Sequence, residues 1–138
     1  MTDFTVTGAG DVLDYLIEGN AVTGAGALFI GLFTGDPGTD GTPANEVTTA
    51  GPSAYTRQAL AGAFTVNPAL RVATSNADIT WTTATASWGT ITHIAICNTG
   101  TVNLTAGTIL FHTAITSVTV GNGDQAKISL GNLTLTLN

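Results

Sequence analysis

The stretch TATASWGTITHIAICNTG, Thr83 to Gly100, holds one of the two histidines, the only cysteine and one of the two tryptophans of the chain. His93-x-x-x-Cys97 is a spacing at which two metal ligands, or a base and a nucleophile, would share one face of a helix about 6 Å apart. On a strand, which rises about 3.3 Å per residue, the same two side chains share a face but sit roughly 13 Å apart, too far to hold one ion. Local composition favours the strand. Ile91, Thr92, Ile94 and Ile96 are β-branched, which costs rotamer freedom in a helix and suits a pleated surface. Trp88-Gly89 opens the run and Asn98-Thr99-Gly100 closes it with turn chemistry. Simple alternation puts Ile91, His93, Ala95 and Cys97 on one face and Thr92, Ile94, Ile96 and Asn98 on the other. Neither face is polar, so the strand is expected inside a sandwich, with Cys97 a small core residue and His93 a hydrogen-bonded wall.

The other candidates for chemistry are thinner. Gly8-Ala-Gly10 and Gly24-Ala-Gly26 lack the third glycine, the preceding strand and the later acid of a dinucleotide fingerprint. Lys127 is the single lysine and stands in no phosphate-binding loop; there is no nucleophile elbow and no zinc-protease motif. Asp36 and Asp40 could hold calcium weakly, but their Gly/Pro setting reads more simply as a solvated turn. His93 and His112 fall on separate strands whose rings could meet if the strands pair, yet two histidines without a third ligand make a poor metal site. Trp81 and Trp88 are expected in the core rather than on a sugar-binding platform. The expectation is a non-enzymatic chain with no catalytic residue, no cofactor and no metal. Arg57 is conspicuous as one of three strong cations. It lies in a strand-like run where its guanidinium needs an acceptor, with Glu46 the first candidate and Asp78 the second.

The elements that position these residues follow from periodicity. In Asp11 to Glu18, Val12, Leu13, Leu16 and Ile17 form a helical stripe, with Asp11 as cap and Gly19-Asn20 as stop. From Ala27 the period changes to two. ALFIGLF is apolar on both faces and reads as a central strand, followed by a long Gly/Pro/Asp/Thr-rich loop from Thr34 to Ser53. AYTRQALAGAFTV, ADITW, the segment quoted first, GTILFHTAI, VTV, AKISL and LTLTL continue as strands, with Gly121-Asn-Gly-Asp124 as a hairpin signal. Many short strands predict an all-β fold, an antiparallel β-sandwich or jelly-roll-like single domain with one short N-terminal helix. Residues 1–26 form an N-terminal arm with that helix, and residues 27–138 the sandwich.

Composition narrows the roles. Only 9% of the 138 residues are charged and 43% are hydrophobic, against about 25% charged in ordinary domains. Threonine alone supplies about a fifth of the chain. Such a surface is weakly guarded against association and suits a subunit held among copies of itself or on a scaffold. A net charge of −6 with three strong cations argues against nucleic acid, which demands a basic footprint. A lone cysteine excludes an internal disulfide. The N-terminus lacks a signal-peptide pattern, and the longest apolar run, Ala27 to Phe33, is too short to cross a bilayer. A soluble protein made in a cytoplasm, with no membrane partner, is expected.

LFIGLFTGDPG, YTRQAL, ATASWGTITHIAI and VTVGNGDQAKISLGNLTLTL resemble, in order, a widespread family of short bacteriophage virion proteins. That family runs L-Y-V-A-L-F-T-x-x-P, Y-x-R-Q, A-T-A-x-W-G-x-(V/I)-T-H and a G-D-x-(V/I) hairpin before the last strand. The resemblance covers about Leu28 to Leu137. Departures are Pro52-Ser-Ala54, where a Gly-rich lead into the tyrosine is common, and Ala95, where Gly often stands. Family members are commonly labelled tail-fibre or structural proteins, so the resemblance implies a virion component. A chain with no heptads and no collagen-like tract is read first as a capsid decoration or cement protein on the outside of the shell. A tail-fibre or baseplate component is the second reading, and a carbohydrate-binding module the third. The expected partners are copies of the chain itself and the major capsid protein or other virion proteins. A trimer is favoured over a dimer by analogy with decoration proteins at three-fold positions, with NLTLTLN and the Thr34–Ser53 loop as contact candidates.

Overall fold

A computed structural model describes residues 3–13, 17–18, 28–40, 43, 45–47, 54–102 and 108–136. The described elements are β1 (Asp3–Phe4), α1 (Val6–Leu13), β2 (Phe29–Phe33), β3 (Gln58–Ala59), β4 (Phe64–Asn67), β5 (Val72–Ser75), β6 (Ile79–Thr80), β7 (Gly89–Cys97), β8 (Ile109–Val120), β9 (Lys127–Ile128) and β10 (Thr134–Thr136). They build a five-stranded sheet in the order β1-β8-β7-β2-β3, a three-stranded sheet β10-β5-β4 and a pair β6-β9. Every pairing is antiparallel. The described residues are thus mostly β with one short helix, as the periodicity predicts.

β2 is central because FIGLF is apolar on both faces. Ile30 lies opposite Ile96 and Leu32 opposite Ile94, and these four join a core cluster with Ile91, Trp81, Trp88, Val120 and Leu133. Phe64 of β4 and Leu135 of β10 pack against the same cluster, so the two larger sheets meet in a sandwich-like arrangement. The opposite face of the five-stranded sheet has its own smaller buried cluster, Phe33, Ala95, Cys97 and Ile109. With both faces covered, β2 and β7 can be apolar throughout.

Three sequence expectations are corrected. First, strict alternation along β7 fails. A register shift lies between Ile91 and His93, and it swings Ile91 onto the core face with Ile94 and Ile96. His93, Ala95 and Cys97 keep the other face. A bulge inserts backbone without a partner and so reverses the side-chain parity on one side of it.

Second, Gly121 to Asp124 forms a turn but not a two-stranded hairpin. Asp124 N donates to Gly121 O at 3.2 Å and Gly121 N to Asp124 Oδ2 at 2.8 Å, while Gly123 takes a φ of 89°. The outgoing chain then leaves β8. Ala84 N and Gly123 N exchange bonds with Asp124 O and Ala84 O at 2.8 Å each, and β9 pairs with β6.

Third, the helix begins earlier than Asp11. Thr5 caps it, accepting Gly8 N on its hydroxyl at 3.1 Å and Ala9 N on its carbonyl at 3.0 Å, as N-cap threonines do. Asp11 therefore lies inside α1. Of the expected span Asp11 to Glu18, residues 14–16 are outside the described residues. The Thr5 hydroxyl in turn donates to Ile109 O, which pins the helix start to β8.

Gly8 explains why a helix starting in VTGAG is tolerated despite its two glycines. A Cβ at Gly8 would lie 2.3 Å from Leu110 O, so the helix reaches its place on β8 only with a hydrogen there. Ala has the better helix propensity by about 1 kcal/mol. Gly8→Ala is nonetheless expected to destabilise the fold by about 1–3 kcal/mol, because the obstructing atom is a strand backbone carbonyl that cannot rotate away. Urea unfolding of the two proteins measures the sign.

Candidate functional site

The densest polar cluster is buried where the returning loop meets the central strand. After β2 the chain leaves through Thr34 and comes back at Glu46, which bridges Phe33. Thr34 N donates to Asn45 O at 2.8 Å, and Val47 N to Leu32 O at 2.9 Å. Asn45 accommodates the turn with a φ of 65°, a conformation asparagine tolerates better than most residues.

This return places the Glu46 carboxylate against Arg57 in fork geometry. Arg57 Nε donates to Oε1 and Nη2 to Oε2, both at 2.7 Å, and both side chains are 0% exposed. Arg57 Nη1 donates to Thr99 O at 2.8 Å. The Tyr55 hydroxyl donates to Glu46 Oε1 at 3.1 Å and accepts Leu32 N at 2.8 Å. A single node therefore ties β2, the return loop, the approach to β3 and the segment after β7.

Gly31 makes room for the node. A Cβ there would lie 2.8 Å from Glu46 Oε1 and 3.2 Å from the Tyr55 hydroxyl. The glycine inside FIGLF is thus explained by a polar group that local sequence does not reveal. Burial of Arg57, the largest single influence, disfavours its charge, but the hydrogen bonds to Glu46 and the pull of the acidic groups around it, Glu46 included, together outweigh that and raise its pKa overall. Burial, reinforced by the Glu46 charge, holds the Tyr55 phenol well above its ordinary value.

Glu46, the first candidate partner for Arg57, is thus the observed one. Asp78, the second, pairs instead with Lys127 at 2.6 Å on the surface. Hydrogen bonds from Lys127 and from Leu130 N lower its carboxyl below the usual range. With no solvent access to the Glu46–Arg57 contact, the cluster works as a cross-link and offers no opening to a substrate.

The histidines, the cysteine and the loop acids lie elsewhere. Cys97 is buried at the end of β7; His93 is half-buried four residues earlier and shares a hydrogen bond with Thr92 Oγ1 at 2.9 Å. Their common strand separates them as expected from its rise. His93 lies opposite Ala114 and His112 opposite Ala95, so β7 and β8 do pair, but each ring has its own neighbour. His112 Nδ1 is 3.5 Å from Asp36 Oδ1, and Asp36 Oδ1 also accepts Gly38 N at 2.8 Å, the turn-forming bond typical of aspartate. Among the described residues no group of three or more His, Cys, Asp or Glu could hold a metal ion. The His112–Asp36 contact was invisible in the sequence because 76 positions separate its partners.

Burial pushes the Cys97 thiol up to about 12, so at neutral pH almost none of the nucleophilic thiolate is present. Alkylation of the native protein by iodoacetamide at pH 8 is expected to be at least about a hundred-fold slower than in denaturant. Comparable rates in both states would refute a closed site at Cys97.

Trp81 and Trp88 are 1% and 4% exposed, and Trp88 meets Tyr55 edge to face at 5.4 Å. Neither offers an open sugar-stacking platform. What the outside does offer is aliphatic. Val6, Leu13, Ile17, Val66, Leu70, Val118 and Leu130 are all more than half exposed, on a chain with few charges to guard them. No described helix is long and apolar enough to cross a membrane.

A sandwich-like β fold with a buried polar cluster sealed inside, and with exposed aliphatic side chains and few charges on its described surface, has the features of a structural building block. The chain belongs to the podophage GP4 fiber I protein gp80 family, whose family model matches residues 3–136. It is therefore a member of a family of phage virion structural proteins. No curated protein matches the chain.

Proposed function

We propose that the chain is a non-enzymatic subunit of the phage tail-fibre apparatus and works as a homo-oligomer, a trimer in preference to a dimer. The observation that carries this reading is the match to a fibre-protein family along nearly the whole chain, residues 3–136. The surface supports it. Exposed aliphatic side chains on a domain this small are a liability unless neighbours cover them, and assembly into a virion supplies those neighbours. In this reading the buried Glu46–Arg57 node and the close-packed core hold a rigid shape, and the outer surface makes the contacts.

A capsid decoration or cement protein is the second reading. It is favoured by the absence of heptad or collagen-like repeats from the sequence, two of the patterns that build extended rods. Antibody labelling of intact virions, with copy number from quantitative gels, separates the two. Label on the tail at a few to dozens of copies supports the fibre reading. Label over the head at hundreds of copies replaces it with the decoration reading.

A further inference from the structure

The turn between β4 and β5 projects an aliphatic side chain, Leu70, which is 66% exposed, next to the 65% exposed Val66 of β4. The turn is shaped by its own bonds: Leu70 N donates to Asn67 Oδ1 at 3.2 Å and Arg71 N to Pro68 O at 3.3 Å. Arg71 closes it with a φ of 55°. Arg71 is also the cation left over. Arg57 is committed to Glu46 and Lys127 to Asp78, whereas Arg71 is exposed and forms no ion pair among the described residues.

A matching concavity lies at the other end of the three-stranded sheet. It is a groove of about 450 Å³ between β8 and β9, walled by Ile91, Ile94, Ile115, Val118, Ile128 and Leu133. That volume falls in the range of sites that admit several side chains. Asp124 stands on its rim, exposed and without an ion pair among the described residues. Lys127 is on the rim too, but its charge faces Asp78 at 2.6 Å.

We infer that the Leu70–Arg71 turn of one copy seats in the β8–β9 groove of a second copy, Leu70 against the aliphatic wall and Arg71 beside Asp124. Charge selects this occupant. Two copies each carrying a net charge of −6 repel one another, and they approach with less repulsion where Arg71 meets Asp124, neither of which is ion-paired among the described residues. A single copy cannot make the contact itself. The turn precedes Val72, while the groove's Leu133 donates its N–H to Ser75 Oγ at 3.3 Å at the far end of β5, about 10 Å along the strand.

Because the two surfaces differ, the contact is head-to-tail. It can close as a ring of three or more copies, run on as a filament, or be made twice across a two-fold axis with each turn in the partner's groove. The inference rests on the homo-oligomer reading above and adds the surfaces that make it.

Light scattering on the purified chain at about 100 µM, where even an affinity near 10 µM leaves most of the chain associated, provides the test. Leu70→Asp and Val118→Asp change exposed residues on opposite sides of the contact; circular dichroism and melting temperature confirm that each variant folds. Wild type is expected as an oligomer and each variant as a monomer. A mixture of the two variants is expected to give one-to-one dimers, since it retains one intact turn and one intact groove. Arg71→Glu, and Asp124→Asn, which keeps the acceptor for Gly121 N, should each raise the dissociation midpoint about ten-fold, as expected when a charge pair at the contact is lost. A wild-type oligomer indifferent to Leu70→Asp and Val118→Asp overturns this contact and leaves self-association standing. A monomeric wild type overturns both, and a mixture that stays monomeric overturns the head-to-tail geometry.

Discussion

Removing either half of the buried ion pair, by Glu46→Gln or Arg57→Met, is expected to destabilise the protein by about 3–5 kcal/mol. Each change leaves buried polar groups short of partners. In Glu46→Gln the guanidinium keeps its charge at a site closed to solvent, and the amide nitrogen cannot accept from Arg57 Nε or Nη2. In Arg57→Met the carboxylate keeps, among the described residues, only the Tyr55 hydroxyl. Against a typical total stability of about 5–15 kcal/mol, a loss of that size is large. The double change Glu46→Leu with Arg57→Met should recover much of it, because an apolar pair of similar volume removes both orphaned charges at once. Urea unfolding of wild type, Glu46→Leu, Arg57→Met and the double variant gives the coupling directly. Single-variant losses below about 1 kcal/mol would mean that the pair behaves like a solvated surface contact, and the closed node described above would have to be abandoned.

Tyr55 adds a pH dependence whose sign can be worked out. Burial and the neighbouring Glu46 charge raise its folded-state pKa above the ordinary 10.0. The phenol therefore stays neutral in the folded chain at a pH where it ionises in the unfolded one. Its contribution is complete below about pH 10 and is lost as the pH rises from there toward the folded-state value. Midpoints of urea unfolding between pH 8 and pH 11 are expected to fall at the alkaline end, and Tyr55→Phe should flatten that fall. The phenylalanine variant also removes a donor to Glu46 and the acceptor for Leu32 N, so it begins from a lower stability.

Trp81→Ala carries the second large effect, a loss of about 3–5 kcal/mol. Trp81 is 1% exposed and belongs to the cluster that joins Ile91, Ile94 and Leu32 of the five-stranded sheet to Leu133 and the β6–β9 pair. Its backbone N–H also donates to Ala126 O at 3.0 Å, so the ring is held where the small sheet meets the large one. Deleting it opens a cavity that sheets tied on both sides cannot collapse to fill. Val66→Ala, at a 65% exposed position, is the contrast and should change stability by less than about 0.5 kcal/mol. Equal losses in the two variants would show that Trp81 is not the keystone of this junction.

Much of this protein is legible in local sequence. β7 was readable from its β-branched run and its flanking Trp88-Gly89 and Asn98-Thr99-Gly100, and with it the separation of His93 from Cys97. β2 was readable from two apolar faces, and the turn at Gly121 to Asp124 from its glycines. Even the Arg57–Glu46 pair was reachable, because a strong cation inside a strand pattern must find an acceptor and the chain offers few. Each inference uses period, turn chemistry or charge scarcity, and these act within a few residues or through composition alone.

Tertiary structure decided what depends on distant backbone. The parity of Ile91 turns on an irregular register with β8, which no alternation rule can place. The partner of β9 is β6 because Ala84 captures the turn that would otherwise have made a hairpin with β8. The helix starts at Thr5 rather than Asp11 because Ile109 and Leu110 supply its docking site, and Gly8 and Gly31 are glycines on account of a carbonyl and a carboxylate brought to them from far along the chain. Sequence determines which segments become strands, since that preference is local. Which strands meet, and which surfaces stay open for a partner, follows from packing between residues that the sequence keeps far apart.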